Sequence, residues 1–123
     1  MKKPGPLIAL FLAAAGLRLC AGPVASEEAA REQLAKGALL VDVRTVQEYQ
    51  SKHLTNAVNI PLGEIKETLP ARVPDRGQAL LLYCRTGRRS DIAETELRSI
   101  GYTNVFNIGS YEQAEKVVGS KAP

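Results

Sequence analysis

Ala79-Leu80-Leu81-Leu82-Tyr83-Cys84-Arg85-Thr86-Gly87-Arg88-Arg89-Ser90 is the stretch that decides how this chain folds and where its chemistry lies. Its first five residues form a continuous apolar run, which reads as a strand buried on both faces of a parallel sheet. Asp91 to Ile100 follows with helical spacing, so that Ile92, Ala93, Leu97 and Ile100 can share one face. The thiol of Cys84 therefore stands at the carboxyl end of a strand, where a short loop opens into a helix. Backbone N–H groups point outward at such a junction and favour an anion. Arg85, Arg88 and Arg89 add fixed positive charge, which predicts that Cys84 is largely thiolate near neutral pH. The ordinary fate of a free cysteine is as a small core hydrophobe. Three arginines that cannot follow it into an apolar interior argue against that burial here.

With 123 residues the chain fits one domain. The formal charge of +3 and a pI near 9.0 would suit a nucleic-acid or membrane binder. The position of the charge argues otherwise. Lys2, Lys3 and Arg18 are the only charged residues in the first 25, and without them 13 bases face 13 acids. No global field is left to attract polyanions, so no nucleic-acid partner is expected. The first 25 residues read as a signal peptide, with Lys2 and Lys3 ahead of an apolar stretch from Leu7 to Ala15. That stretch is too short to span a bilayer. Cleavage within 21–26, after Ala21, Ala25 or Ser26, leaves 26–123 as the exported domain, with the periplasm as its expected place. Cys20 opens a lipid-anchor option, although Leu19 before it is larger than such a site prefers. Cleavage beyond Cys20 leaves Cys84 as a lone thiol, with no internal disulfide. One histidine, His53, beside one cysteine is too few soft ligands for a metal site, and no cofactor is expected.

Along the rest of the chain, helices and strands alternate with short connections. Ser26 with Glu27, Glu28 and Glu32 starts a helix ending at Gly37. Ala38 to Val43 is a strand, and Thr45 with Glu48 forms a capping box for a short helix over 46–51. Ala57 to Ile60 is a second strand. Leu62 to Val73 is helical, with Pro70 expected to break or bend it. After the third strand and the main helix, 104–108 is a strand and 111–118 a final helix. This alternation implies a parallel α/β sheet covered on both faces, with ligands beyond the carboxyl ends of its strands.

With these residues in place, the chain resembles a single-domain rhodanese, a thiosulfate sulfurtransferase, and most of all the small periplasmic members of the bacterial phage-shock response. Three segments carry the resemblance: Val41-Asp42-Val43-Arg44 with Glu48-Tyr49; Lys52-His53-Leu54 with Ala57-Val58-Asn59-Ile60-Pro61; and Tyr83-Cys84 with Gly87, Arg89-Ser90 and Gly101-Tyr102-Thr103. It implies a five-stranded parallel sheet with helices on both faces. It also implies a cysteine that takes the sulfane sulfur of thiosulfate as a persulfide, releases sulfite, and passes the sulfur to cyanide or a thiol. Related phosphatases place an arginine six positions after the cysteine. Here Arg89 is five on and Ser90 six on, a shorter cradle that suits sulfur held on cysteine better than phosphate. The chain departs from the family pattern at Lys52, Asn56, Ser110 and Ala114, which bears on the acceptor more than on the chemistry.

Cys84 is the expected nucleophile, and Arg85, Thr86, Gly87, Arg88, Arg89 and Ser90 the expected substrate-binding loop. Gly87 is expected to turn N–H groups toward the sulfur, Arg89 to anchor the loop or the anion, and Ser90 either to donate its hydroxyl to the persulfide or, the preferred reading, to cap the following helix. Asp42 and Arg44 read as structural residues near the site, with Arg44 pairing to Glu48. His53 is placed by the resemblance in a turn away from the cysteine, without a catalytic part. The protein is expected to act as a monomer. Two other readings stand beside this one: a non-catalytic rhodanese-like binding module, whose members commonly lack the loop cysteine, and a thiol redox sensor, which would want a second, resolving cysteine.

Overall fold

The computed structural model describes residues 23–119. The signal peptide assigned to residues 1–25 lies outside that range as far as residue 22, and so do Cys20 and the last four residues. Helices and strands alternate along the described chain: α1 (Glu27–Ala35), β1 (Leu39–Asp42), α2 (Val46–Ser51), β2 (Val58–Asn59), a 3-10 turn (Leu62–Glu64) leading into α3 (Ile65–Arg72), β3 (Leu80–Tyr83), α4 (Arg88–Ser99), β4 (Val105–Gly109) and α5 (Tyr111–Val118).

The strands form one parallel sheet in the order β2-β1-β3-β4. The chain moves from β1 to β2 on one side, then returns to lay β3 on the other, so the winding reverses between β1 and β3. The crevice at the carboxyl ends of strands flanking such a reversal is the natural ligand site of an open α/β sheet. Asp42 and Arg44 end one of these strands, and Cys84 ends the other.

Strand alternation assigns each residue of the apolar run to a face. Leu80, Leu82 and Cys84 pack with Ile65 and Leu69 of α3 and with Ala93 and Leu97 of α4. Leu81 and Tyr83 pack on the opposite face with Ala30 of α1 and with Ala114 and Val117 of α5. Both faces being covered, no residue of β3 has exposed surface. Each of its leucines contributes about 1.5–3 kcal/mol of burial.

The sheet has four strands among the described residues, not the expected five. Ala25 does lie beside β4, donating its N–H to Asn107 O at 2.9 Å. The next residue, Ser26, already accepts from Ala29 N–H and caps α1, so the chain turns away before a ladder can form. The four strands are those that the residue pattern itself predicts; the fifth rested on resemblance alone. Two helices also differ from expectation, one in where it starts and one in passing through its proline. α4 starts at Arg88, ahead of Asp91, because Gly87 adopts φ 98° and turns the loop directly into the helix. α3 runs through Pro70 to Arg72: Val73 N–H still reaches Leu69 O at 2.7 Å, so the ring removes only its own donor near the helix end. No helix among the described residues is long and apolar enough to cross a membrane.

Candidate active site

Cys84 Sγ accepts the Gly87 N–H at 3.0 Å and lies 3.6 Å from the Ser90 hydroxyl. The expectation that its arginine neighbours keep it out of the interior is overturned, since Cys84 has no exposed surface. The pleat is the reason. Cys84 N–H still bonds Gly109 O at 3.2 Å, so the strand alternation extends one residue beyond β3 and sends the thiol to the α3–α4 face. Arg85 and Arg88 leave toward solvent and are exposed. Burial pushes the thiol up. Donation from Ser90 Oγ and from the N–H groups of Ser90, Gly87 and Thr86 acts the other way, and together these donors hold Cys84 below the ordinary thiol value.

The loop is fastened at several points. Tyr111 N–H reaches Arg85 O at 3.5 Å, and Thr86 bridges Ser110. Gly87 is required by its backbone: its φ of 98° is one that L side chains rarely adopt, although a Cβ there would make only ordinary contact with the Gly109 backbone at 3.4 Å.

Ser90 does not cap α4. From the helix's first turn its Oγ lies 2.7 Å from Asn107 Oδ1 and 3.1 Å from Gly87 O. Asn107 escaped the sequence reading. It is buried, with Oδ1 accepting Gly109 N–H at 2.9 Å and Nδ2 donating to Gly87 O at 3.3 Å. An irregularity in β4 places it: Leu82 pairs with Asn107 but Tyr83 with Gly109, leaving Ile108 as an extra residue. The available signal was an amide within the apolar run Val105-Phe106-Asn107-Ile108.

At the end of β1, Arg44 turns back onto Asp42 and not onto Glu48. Its Nη2 donates to Asp42 Oδ2 at 2.6 Å and its Nε to Oδ1 at 2.9 Å, with Arg44 N–H on Oδ1 at 2.9 Å. Tyr83 Oη donates to Asp42 Oδ2 at 2.8 Å, and Asn59 Nδ2 bonds both Asp42 O and Arg44 O at 3.0 Å. The carboxylate is fully buried and the guanidinium side chain 8% exposed. A buried acid needs its countercharge more than a half-exposed one does, which is why Asp42 takes Arg44.

Glu48 instead holds Arg89 through two bonds, at 2.8 and 3.1 Å, while its carboxylate also closes the capping box on Thr45 N–H. The hydrogen bonds from Arg89, outweighing burial, keep its carboxyl at about 2. Arg89 therefore ties the loop to α2. Arg85 and Arg88 have no ion-pair partner among the described residues. His53 stacks on Tyr49 with ring centroids 3.8 Å apart, and its Nδ1 lies 3.0 Å from Tyr49 O.

An open cleft of about 560 Å³ adjoins the loop, lined by Arg44, Glu48, Lys52, Arg85, Ser110 and Tyr111 among others. A larger one of about 690 Å³, between the C-terminal end of α5 and the His53–Asn56 turn, includes no residue of the Cys84 loop. No group of three or more His, Cys, Asp or Glu side chains among the described residues could hold a metal ion.

Comparison with known proteins bears on this arrangement. The rhodanese-like domain matches residues 26–116. The thiosulfate sulfurtransferase PspE of Escherichia coli strain K12 is 44% identical over 69 residues, a match spanning 56% of this chain and 66% of that protein. Among solved structures, a rhodanese with anions from E. coli superposes with a TM-score of 0.60 at 39% identity, covering 63% of this chain and 91% of that one. The human single-domain sulfurtransferase TSTD1 superposes with a TM-score of 0.63 at 28% identity, covering 77% and 96%. A four-stranded parallel sheet, a cysteine at a strand's carboxyl end, and these likenesses agree: the chain belongs to the rhodanese-like family.

Proposed function

We propose that the protein is an exported thiosulfate sulfurtransferase of the periplasm, acting as a monomer without a cofactor through a persulfide on Cys84. The observation that carries this reading is a thiol held below its ordinary value by converging donors, beneath a rim whose cations Arg85 and Arg88 have no ion-pair partner among the described residues. Thiosulfate is a small dianion, and such a rim attracts it. The similarity to the E. coli thiosulfate sulfurtransferase supports the same substrate.

In the first half-reaction the Cys84 thiolate attacks the sulfane sulfur of thiosulfate. A new S–S bond forms, the bond to the sulfonate sulfur breaks, and its electron pair leaves on sulfite. The donors that face Sγ, from Ser90, Gly87 and Thr86, then stabilise the persulfide anion. In the second half-reaction cyanide or a thiolate takes the terminal sulfur and returns the thiolate. Splitting one transfer into two displacements predicts ping-pong kinetics. Because Cys84 is covered in the resting state, entry of the anion requires the exposed rim from Arg85 to Arg88 to shift. Arg89, engaged by Glu48, holds the loop's frame and does not serve as a free anion ligand.

Incubation of the mature protein with thiosulfate, followed by intact mass measurement, tests the proposal. A gain of one sulfur atom, lost on adding cyanide and absent in Cys84→Ser, is the expected result. An unchanged mass with an intact free thiol would reject it.

A further inference from the structure

Asn107 is a buried polar side chain outside the Cys84 loop and α4, yet it touches both. Its Oδ1 orientation is set by Gly109 N–H at 2.9 Å, which only an oxygen can accept, so Nδ2 faces Gly87 O at 3.3 Å. That leaves the Ser90 hydroxyl with one proton and three acceptors: Asn107 Oδ1 at 2.7 Å, Gly87 O at 3.1 Å and Cys84 Sγ at 3.6 Å. A hydroxyl proton rotates to suit its surroundings. While the sulfur is a neutral thiol, the near amide oxygen is the better acceptor. Once the sulfur carries charge, the bond to it becomes charge-assisted and roughly twice as strong.

We infer that Asn107 is a positioning residue for the sulfur-transfer site, holding the Ser90 hydroxyl as a two-position donor that rests on Oδ1 and turns to sulfur when negative charge appears there. This role rests on the sulfurtransferase reading. The amide acts in two ways. Its Oδ1 keeps the hydroxyl at the edge of the cradle, and its Nδ2 joins Asp91 N–H (3.1 Å) in filling Gly87 O, the carbonyl that would otherwise capture the hydroxyl and turn it from sulfur. The bulge in β4 that leaves Ile108 unpaired serves to bring this amide to the loop. Gly109 belongs to the same device: it has φ 98°, and a Cβ there would run into the Gln113 amide.

Other charged and titratable groups lie on the neighbouring elements. Arg89 of α4 interacts with the sulfur through charge, with Glu48 of α2 bonded to that guanidinium, while Asp42 and Arg44 end β1 and the Tyr83 hydroxyl lies on the opposite face of the sheet. None of them is changed by substituting Asn107 or Ser90, so they cancel in a comparison of variants.

The experiment is a double-mutant cycle of Asn107→Ala and Ser90→Ala, read by the pH dependence of Cys84 alkylation with iodoacetamide and by thiosulfate turnover. Ser90→Ala is expected to move the alkylation midpoint to higher pH and slow turnover about tenfold, the scale of one hydrogen bond to a charged group. Asn107→Ala alone is expected to shift the midpoint the same way. Added to Ser90→Ala it should change neither quantity by more than about twofold, because Asn107 acts through Ser90. A wild-type midpoint in Asn107→Ala, or effects that simply multiply in the double variant, would overturn the inference. Should Asn107→Ala not fold, the near-isosteric Asn107→Asp answers the same question. Its carboxylate grips the hydroxyl more tightly and should move the midpoint further to high pH, by less in the Ser90→Ala background than in the wild type. An equal shift in both backgrounds counts against the role. Alkylation needs no sulfur transfer, so a wild-type protein that takes no sulfur from thiosulfate sinks the proposed activity while the midpoints still decide the link between Asn107 and Ser90.

Discussion

The carboxyl ends of β1 and β3 lie side by side at the same crevice, and charge is handled in opposite ways at the two. At β1 it is closed. Asp42 and Arg44 neutralise each other in the interior, and Tyr83 and Asn59 take up the remaining polar atoms. At β3 it is open. The sulfur of Cys84 accepts from Gly87 N–H and lies beside the Ser90 hydroxyl, and the cations of its loop divide into one tethered residue, Arg89, and two, Arg85 and Arg88, with no ion-pair partner among the described residues. The difference separates a strut from a site. Where every charge has its countercharge the structure gains rigidity and no ligand is called for. Where donors face a thiol beside two cations that have no ion pair among the described residues, the arrangement suits an anion, as the proposed function requires.

The comparison breaks most visibly at the closed end. Asp42→Asn leaves the Arg44 guanidinium buried without its countercharge, and is expected to cost about 3–5 kcal/mol of stability. Urea unfolding followed by circular dichroism would show it, and a wild-type midpoint would mean that the pair is not a strut. Cys84→Ala should cost less by the same measurement, because it orphans no charge.

At the open end the tethered and untethered arginines should separate. Arg89→Ala removes a two-point bond to Glu48 and frees the loop, so thiosulfate turnover is expected to fall about tenfold, on the scale of a hydrogen bond between charged groups. Arg88→Ala removes one exposed charge, worth up to about 1 kcal/mol and seen mainly as a few-fold rise in KM. Equal effects from the two substitutions would erase the distinction drawn here between frame and rim.

The tether also has a pH signature. Glu48 is held at about 2 in the folded protein, against 4.5 for the free group. A carboxyl depressed by folding stabilises the native state fully above its unfolded value, and that contribution disappears as pH falls from there toward 2. Stability measured across that window should decline more steeply in the wild type than in Glu48→Gln. Parallel curves would show that the ion pair contributes nothing. The smallest effect is that of salt, which screens the exposed cations Arg85 and Arg88 and should raise the KM for thiosulfate modestly.

How much of this was legible beforehand depended on distance along the chain. The strand, loop and helix around Cys84 are contiguous, and so is the capping pair Thr45–Glu48, so local pattern suffices to find the elements. The burial of Cys84 was not legible, because it depends on the pleat continuing one residue past the apolar run. Arg44 four positions before Glu48 looks like a local pair, yet the buried Asp42 outcompetes Glu48 for it. The bond from Arg89 to Glu48 spans 41 positions and that from Ser90 to Asn107 spans 17. Both exist only because the sheet order brings separate elements to one edge. Nothing in a single sequence marks Asn107 except that an amide interrupts an apolar strand. The fifth strand failed for a local reason, since Ser26 begins a helix where a strand would need to continue.

In the proposed reaction the open end of β3 carries sulfur covalently on Cys84. Rapid mixing of the purified protein with thiosulfate in the absence of any acceptor, with released sulfite measured against time, tests it most directly. A burst of one sulfite per protein chain, then no further release until cyanide is added, is the predicted result. No burst, or steady sulfite release without an acceptor, would contradict it.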